Sequence, residues 1–431
     1  MLTPEKLHIR TLGDCKMSST VKAAHPSLFI PDETRLLCKI DYIDSSEINC
    51  AAAFEKAGPR RKIFFRPEYT RAAIVTCGGL CPGLNNVIRS LVVELHHRYG
   101  VRDIVGARNG YQGLNPDYGR PLVDLTLERV EHIEKLGGTI LGSSRGPQPV
   151  DVMVDFLERE KIDILFCVGG DGTLRGAHEI CEEVARRKAR IGVVGIPKTI
   201  DNDIHYVWRS FGYVTALEKA REVLEGAHIE AKGSPNGVGL VKLMGRDAGF
   251  IAAGATIASQ HVNFTLAPEI PFELEGKNGF LEHLKRRILS RHHALVVVAE
   301  GAGQNLFQEA DHRLDASGNR RHSDIGVLLR REIERFFDER EIPVSMKYFD
   351  PSYHIRSAPA SVSDALLCDQ LARNAAHAAM AGKTDLIIGL WNNHCVHVPI
   401  ALATAEKRYM SERGEIWNSV LAATGQPSRF A

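Results

Sequence analysis

The ten residues Phe166-Cys-Val-Gly-Gly-Asp-Gly-Thr-Leu-Arg175 hold the groups that phosphate chemistry needs. An apolar run, 162–168, ends in Gly169-Gly170-Asp171-Gly172-Thr173, and a helix-like segment, 174–188, follows at once. Glycines at a strand-to-helix turn let the main chain approach a phosphate closely, and the new helix offers it free N–H groups. Asp171 is suited to hold the magnesium that travels with nucleotide phosphates. The next apolar run opens into Pro197-Lys198-Thr199-Ile200-Asp201-Asn202-Asp203, which brings two more carboxylates. A turn that cradles phosphate beside a turn that offers a base points to phosphoryl transfer.

Asp201 and Asp203 share one side if the chain stays extended, whereas a turn at Asn202 splits them. Of the two, Asp201 suits the base and Asp203 a cap within the loop. Other loops add to this set. Thr76-Cys-Gly78-Gly79-Leu-Cys-Pro82-Gly83 reads as a phosphate loop without the Gly-Lys-Ser/Thr ending of the Walker signature. Gly142-Ser-Ser-Arg145-Gly146 supplies a guanidinium, which fits phosphate bidentately. Lys242-Leu-Met244-Gly245-Arg246-Asp247, the lone carboxylate of Glu300, and Tyr353-His354-Ile355-Arg356 offer cations, a phenol and a hydrogen-bond acceptor to an anionic sugar. Singly, each fits a packing or surface residue. Their shared place at strand ends or loops argues otherwise for the set.

These loops need a scaffold. From Ala72 onward, strand-length apolar runs alternate with helical segments, which predicts parallel sheets with helices on both faces and ligands at the carboxyl ends of the strands. The expected strands are 73–77, 103–107, 162–168, 192–196, 239–243, 294–299 and 386–390. The expected helices include 84–99, 174–188, 214–226, 248–259, 323–337 and 361–381. Residues 1–70, mixed in charge and short in apolar runs, read as an extension packed on the body or on a neighbouring subunit. Its basic cluster, Pro59-Arg60-Arg61-Lys62, reads as a solvated loop. The 431 residues allow two or three domains. A net charge of +1 argues against nucleic-acid or anionic-membrane binding, and no apolar run is long enough to span a bilayer. Nine scattered cysteines are those of a reduced protein, and the cytoplasm is the expected compartment. Cys77-Gly-Gly-Leu-Cys81 has no matching second pair of metal ligands, and His394-Cys395-Val-His397 reads as packing or surface.

In order along the chain, Gly78-Gly79 with Pro82-Gly83-Leu-Asn85, Gly169–Thr173, Thr199-Ile-Asp201-Asn-Asp203, Met244-Gly-Arg246 and Glu300 resemble the successive motifs of the phosphofructokinase family. Leu141-Gly-Ser-Ser-Arg-Gly146, Val241-Lys-Leu-Met-Gly-Arg246 and Tyr348-Phe-Asp-Pro-Ser-Tyr353 resemble its plant and trypanosomatid ATP-dependent branch. The resemblance spans roughly residues 71–400. It implies two doubly wound, Rossmann-like α/β domains with mostly parallel sheets, plus the extension. Residues 71–212, completed by part of 355–400, would bind nucleotide, and 213–354, completed by 401–431, the sugar phosphate. The implied reaction moves the γ-phosphoryl of MgATP to the 1-hydroxyl of fructose 6-phosphate, in a homodimer or homotetramer. By resemblance, Asp201 accepts the proton, with Thr199 and Arg246 beside it at the reacting centre. Asp171 helps hold magnesium, and Gly78, Arg145, Gly146, Gly170, Asp171, Gly172 and Thr173 line the donor. Thr199, Ile200, Asp201, Met244, Gly245, Arg246, Glu300, Tyr353, His354, Ile355 and Arg356 line the sugar phosphate.

The donor turns on two positions. Pyrophosphate-dependent relatives carry aspartate where Gly172 stands, whereas Lys198 is the residue those enzymes carry. Glycine removes a steric block and lysine suits either donor, so position 172 weighs more and favours ATP over pyrophosphate. Many bacterial relatives carry an arginine, reaching across a subunit interface, where this chain has Gly237. NAD and lipid kinases share the 169–173 turn but not the other motifs in this order. A non-catalytic regulatory paralogue would be free to lose Asp171 or Asp201, and both are present.

Overall fold

The computed structural model describes residues 2–22, 25–44, 48–307 and 321–431. They fall into two compact units, one within 1–200, 204–212 and 357–407, the other within 201–203, 213–356 and 408–431. Asp201–Asp203 therefore group with the second unit, and the chain returns to that unit at Arg408 rather than near residue 401.

The first unit is built on a nine-stranded sheet among the described residues. Its order is Arg35–Leu37, Ala53–Lys56, His394–Pro399, Leu386–Trp391, Gly192–Pro197, Ile164–Gly169, Arg71–Thr76, Asp103–Ala107 and Val123–Asp124. The five strands from Leu386–Trp391 to Asp103–Ala107 run parallel, and the outer ones antiparallel. All residues of Ile164–Gly169 and Gly192–Pro197 are buried, as expected of strands covered on both faces. Alternate residues feed two cores. Ile74, Phe166 and Val194 meet the helices Leu84–Val93 and Val362–Met380, whereas Val75, Leu165 and Val193 meet Val150–Arg159 and Asp171–Arg187.

Residues in the first 70 supply two strands of this sheet, Arg35–Leu37 and Ala53–Lys56. Two further short strands, Arg10–Thr11 and Met17–Ser18, pair with Lys383–Thr384 and Lys62–Ile63. The solvated loop expected at 59–62 is corrected at Arg60, which is only 3% exposed. Its guanidinium is neutralised by Glu55 (2.8 Å) and Asp32 (2.7 Å) and also donates to the carbonyls of Lys56 and Gly58. Burial alone would push the Glu55 carboxyl up. His397 and Lys383, bonded to it at 2.9 and 2.8 Å, outweigh burial and hold it well below the usual range.

The second unit has a four-stranded parallel sheet, in the order Phe264–Leu266, His293–Ala299, Gly237–Leu243 and Ser345–Phe349. Val238, Leu240, Val296 and Val298 pack against the helices Phe280–Arg291 and Ile325–Asp338. Tyr213–Lys232 and Phe250–Ser259 cover the other face, and Glu415–Thr424 packs on the latter through Trp417 and Val420. The helix expected from Leu174 begins three residues earlier, at Asp171. The helix expected over 84–99 loosens into a π-helix over Glu94–Tyr99.

Candidate active site

In the first unit, three adjoining strands end together. Pro197 lies opposite Gly169, and Thr76 opposite Val168. Each strand runs out into one of the polar turns. The Gly78 N–H donates to the Ser144 carbonyl at 2.9 Å, and Ser143 Oγ donates to the Gly78 carbonyl at 2.5 Å. Thr76 Oγ1 donates to the Gly142 carbonyl at 2.8 Å, so the 142–146 loop is fastened to the first glycine turn. Gly78 and Gly146 have φ of +85° and +99°, where a side chain is strained. Arg145 is exposed, and its Nη2 would sit 3.2 Å from a Cβ at Gly79. The Lys198 ammonium donates to the Gly79 carbonyl at 2.7 Å, which sets its charge beside the same turn.

The second glycine turn delivers the start of a 17-residue helix. Gly170 is its N-cap and has no side chain to satisfy the first N–H groups. Those donors, with the positive end of the helix dipole, are suited to a phosphate. Asp171 is the first helical residue and pairs with Arg175 at 2.9 Å. Thr173 is buried, with its hydroxyl folded toward Gly169 and its carbonyl held by Tyr111 Oη at 2.6 Å. Gly172 is exposed, and a Cβ built there meets no atom within 4 Å. Neither packing nor backbone conformation demands glycine at 172.

One carboxylate suits Mg²⁺, which commonly takes one or two carboxylates together with substrate phosphates. Asp171 offers such a group. Among the described residues, His178, Glu182 and Asp385 form a cluster with metal-ligand chemistry. There the Arg10 guanidinium pairs with Glu182 and lies 3.5 Å from Asp385, which already supplies a cation.

Beyond Pro197, Thr199 is held through its carbonyl by Ser210 Oγ at 2.6 Å, and Ile200 packs on the apolar core. Asn202 has φ +57°, so the chain turns there instead of continuing extended. The Asp203 main-chain carbonyl accepts from the Arg408 N–H at 2.8 Å, which fastens the loop through its backbone.

In the second unit, Met244 is buried and Gly245 has φ +136°. The Gly301 N–H donates to the Gly245 carbonyl at 3.1 Å, and the Glu300 N–H to the Leu243 carbonyl at 2.9 Å. These bonds join the 244–246 and 300–301 loops. Burial pushes the Glu300 carboxyl up, opposed by His322, Lys242 and Arg246. Tyr353, His354 and Arg356 lie on the short helix Ser352–Arg356, with the Arg356 guanidinium 4.3 Å from the Tyr353 ring centre. Ile355 is fully buried, and its N–H donates to the Pro351 carbonyl at 2.9 Å, so it packs the short helix down rather than facing solvent. Gly237 begins its strand at the end away from these loops, and a Cβ there would lie 2.0 Å from the Ala231 carbonyl oxygen. No side chain fits that position.

Sequence reading passed over the struts of this arrangement: Tyr111, Ser143, Ser144, Ser210, and the acids Asp324 and Asp350. Ser143, Ser144 and Asp350 lay inside motifs already quoted. Tyr111 and Ser210 carried no local signal, because each acts on a residue outside its own segment. Asp324 precedes a helix as an N-cap, but its bond to Lys242 has no local sign.

Glycine turns at three adjoining strand ends, on a doubly wound α/β sheet, define a class of phosphate-binding proteins. The Phosphofructokinase family model matches residues 71–379, and the chain belongs to the phosphofructokinase family. It is 47% identical to the ATP-dependent 6-phosphofructokinase of Borreliella burgdorferi, over 97% of this chain and 96% of that one. It is 46% identical to the chloroplastic ATP-dependent 6-phosphofructokinase 5 of Arabidopsis thaliana, over 86% of this chain and 69% of that one. Among solved structures, the pyrophosphate-dependent phosphofructokinase of Marinobacter aquaeolei shares the fold, with a TM-score of 0.68 and 20% identity. That match covers 82% of this chain and 91% of the other. No helix among the described residues is long and apolar enough to cross a membrane.

Proposed function

We propose that this chain is an ATP-dependent 6-phosphofructokinase, transferring the γ-phosphoryl of MgATP to the 1-hydroxyl of fructose 6-phosphate. The observation that carries the reading is Gly172: an open position on an uncapped helix start, in a chain of this family. It leaves room for the part of a nucleotide that pyrophosphate lacks. Kinship with near full-length relatives bearing that name supports it.

In this reading Gly78, Arg145, Gly146 and Gly170–Thr173 line the donor phosphates, with the N–H groups of the helix start and the Arg145 guanidinium as the hydrogen-bond donors. Magnesium, held by Asp171 and the phosphates, would neutralise charge on the transferring group. Asp201 takes the proton of the attacking hydroxyl, with Thr199 and Arg246 beside the reacting centre. Ile200, Met244, Gly245, Glu300 and Tyr353–Arg356 orient the sugar phosphate, and Lys198 sets charge at the donor's end. Phosphoryl transfer asks mainly for positioning and charge neutralisation, and these groups supply both. We further propose a cytoplasmic homodimer or homotetramer.

The test compares donors. Purified protein with fructose 6-phosphate and magnesium is given ATP or pyrophosphate, and bisphosphate formation is followed. ATP should support turnover and pyrophosphate should not. Turnover with pyrophosphate alone would overturn the reading in favour of the pyrophosphate-dependent reaction.

A further inference from the structure

Near the carboxyl end of strand Gly237–Leu243 lies Lys242, a cation not assigned to the sugar-phosphate or donor residues above. Its side chain is only 12% exposed, and its ammonium donates to Asp324 Oδ2 at 2.8 Å while lying 3.0 Å from Asp350 Oδ2. The other oxygen of Asp350 accepts from the Ser352 N–H at 3.2 Å and from Ser352 Oγ at 2.6 Å. Ser352 opens the helix Ser352–Arg356. The chain of contacts is therefore continuous. Strand Gly237–Leu243 holds Lys242, Lys242 holds Asp350, and Asp350 caps the short helix that carries Tyr353 and Arg356. The Lys242–Asp324 contact is separate: Asp324 Oδ1 caps the helix Ile325–Asp338 at Gly326 and Val327.

We propose that Lys242 is a positioning residue for sugar-phosphate binding, fixing the Tyr353–Arg356 segment through Asp350. The proposal rests on the assignment of that segment to the sugar phosphate. A five-residue helix has too few internal hydrogen bonds to hold itself, so its place depends on its cap and on what anchors the cap. Burial opposes charge on both partners. Hydrogen bonds nevertheless keep Lys242 well above its ordinary pKa and Asp350 below its own, so both stay ionised near neutral pH. Without the ammonium, Asp324 and Asp350 lose their shared cation, and the cap is free to move. Chemistry at the transferred phosphoryl does not involve this lysine, so the loss falls on sugar-phosphate affinity.

The test is steady-state kinetics of the full chain with MgATP and fructose 6-phosphate. Lys242→Met should raise KM for fructose 6-phosphate about 10-fold or more, leaving kcat and KM for ATP within about threefold. Asp350→Asn, which keeps the size of the cap, should do the same and serves if the lysine variant folds poorly. The double variant should be no worse than the weaker single variant, because both cut one chain of contacts. Lys242→Arg should recover much of the affinity. An unmoved KM for fructose 6-phosphate in either folded single variant, or additive losses in the double variant, would overturn the proposal alone. Wild-type protein that fails to phosphorylate fructose 6-phosphate would overturn the parent assignment and this proposal together.

Discussion

Gly172→Asp separates a donor-site role from a structural one. Gly172 is the second residue of the helix Asp171–Arg187, and a side chain there enters open space. Aspartate is a slightly better helix former than glycine, and an acid in the first turn gains about 0.3–1 kcal/mol from the helix dipole. Repulsion from Asp171 opposes that gain. Fold stability should therefore change by less than about 1 kcal/mol, a shift of a few degrees in melting temperature. The effect on ATP should be far larger. A carboxylate about 5 Å from a nucleotide phosphate, at an effective dielectric near 20, costs about 3 kcal/mol per unit charge. That is a loss of about 200-fold in kcat/KM for ATP, before any steric conflict. Initial rates of ADP formation and a thermal melt on one preparation measure both quantities. Gly172→Ala, adding a neutral methyl group, should lose much less. A folded aspartate variant with ATP kinetics near wild type would refute the placement of the donor. A melting temperature lowered by well over a few degrees would refute the open space.

Asp201→Ala should lower kcat by about 10²–10⁴-fold while leaving fructose 6-phosphate binding by calorimetry nearly intact, since a base acts in the transition state; near-normal turnover removes it from the mechanism. His377, buried and bonded to Tyr99 Oη at 2.9 Å, has its pKa pushed down to about 3 by burial, with Arg373 and Arg98 adding to the effect. The unfolded chain thus takes up this proton first, so stability is present above about pH 6.5 and falls as pH drops from there toward 3. Glu94, whose carboxyl burial pushes up, offsets part of that loss. In His377→Gln, the acid slope measured by melting from pH 7 to 4 should flatten, and an unchanged slope would exclude His377 as its source.

The central strands were legible because they are buried on both faces. Asp103–Ala107 and Gly192–Pro197 read as short apolar runs whatever surrounds them. The outer strands were not. Ala53–Lys56 and His394–Pro399 contain Glu55 and His397, and such residues enter a sheet interior only when partners from elsewhere, here Lys383 and Arg60, neutralise them. No local pattern announces that. The helix start at Asp171 was placed late because glycine and aspartate carry weak helix propensity, which the tertiary setting overrides. Among site residues, the glycine turns and Asp201 stood out by type and spacing. The Lys242–Asp324–Asp350 group did not, since its acids come from two distant stretches of chain. The turn at Asn202, left open by the sequence, is settled by one positive φ.

The sheet of the first unit also bears on synthesis. Ala53–Lys56 leaves the ribosome about 340 residues ahead of its partner strand His394–Pro399, a wait of about 17–70 s at ordinary elongation rates. Until then, one border of the nascent sheet has no neighbour and its main-chain groups are open to strangers. Vectorial production thus leaves this body unfinished until His394–Pro399 has emerged, a window in which chaperone shielding matters most.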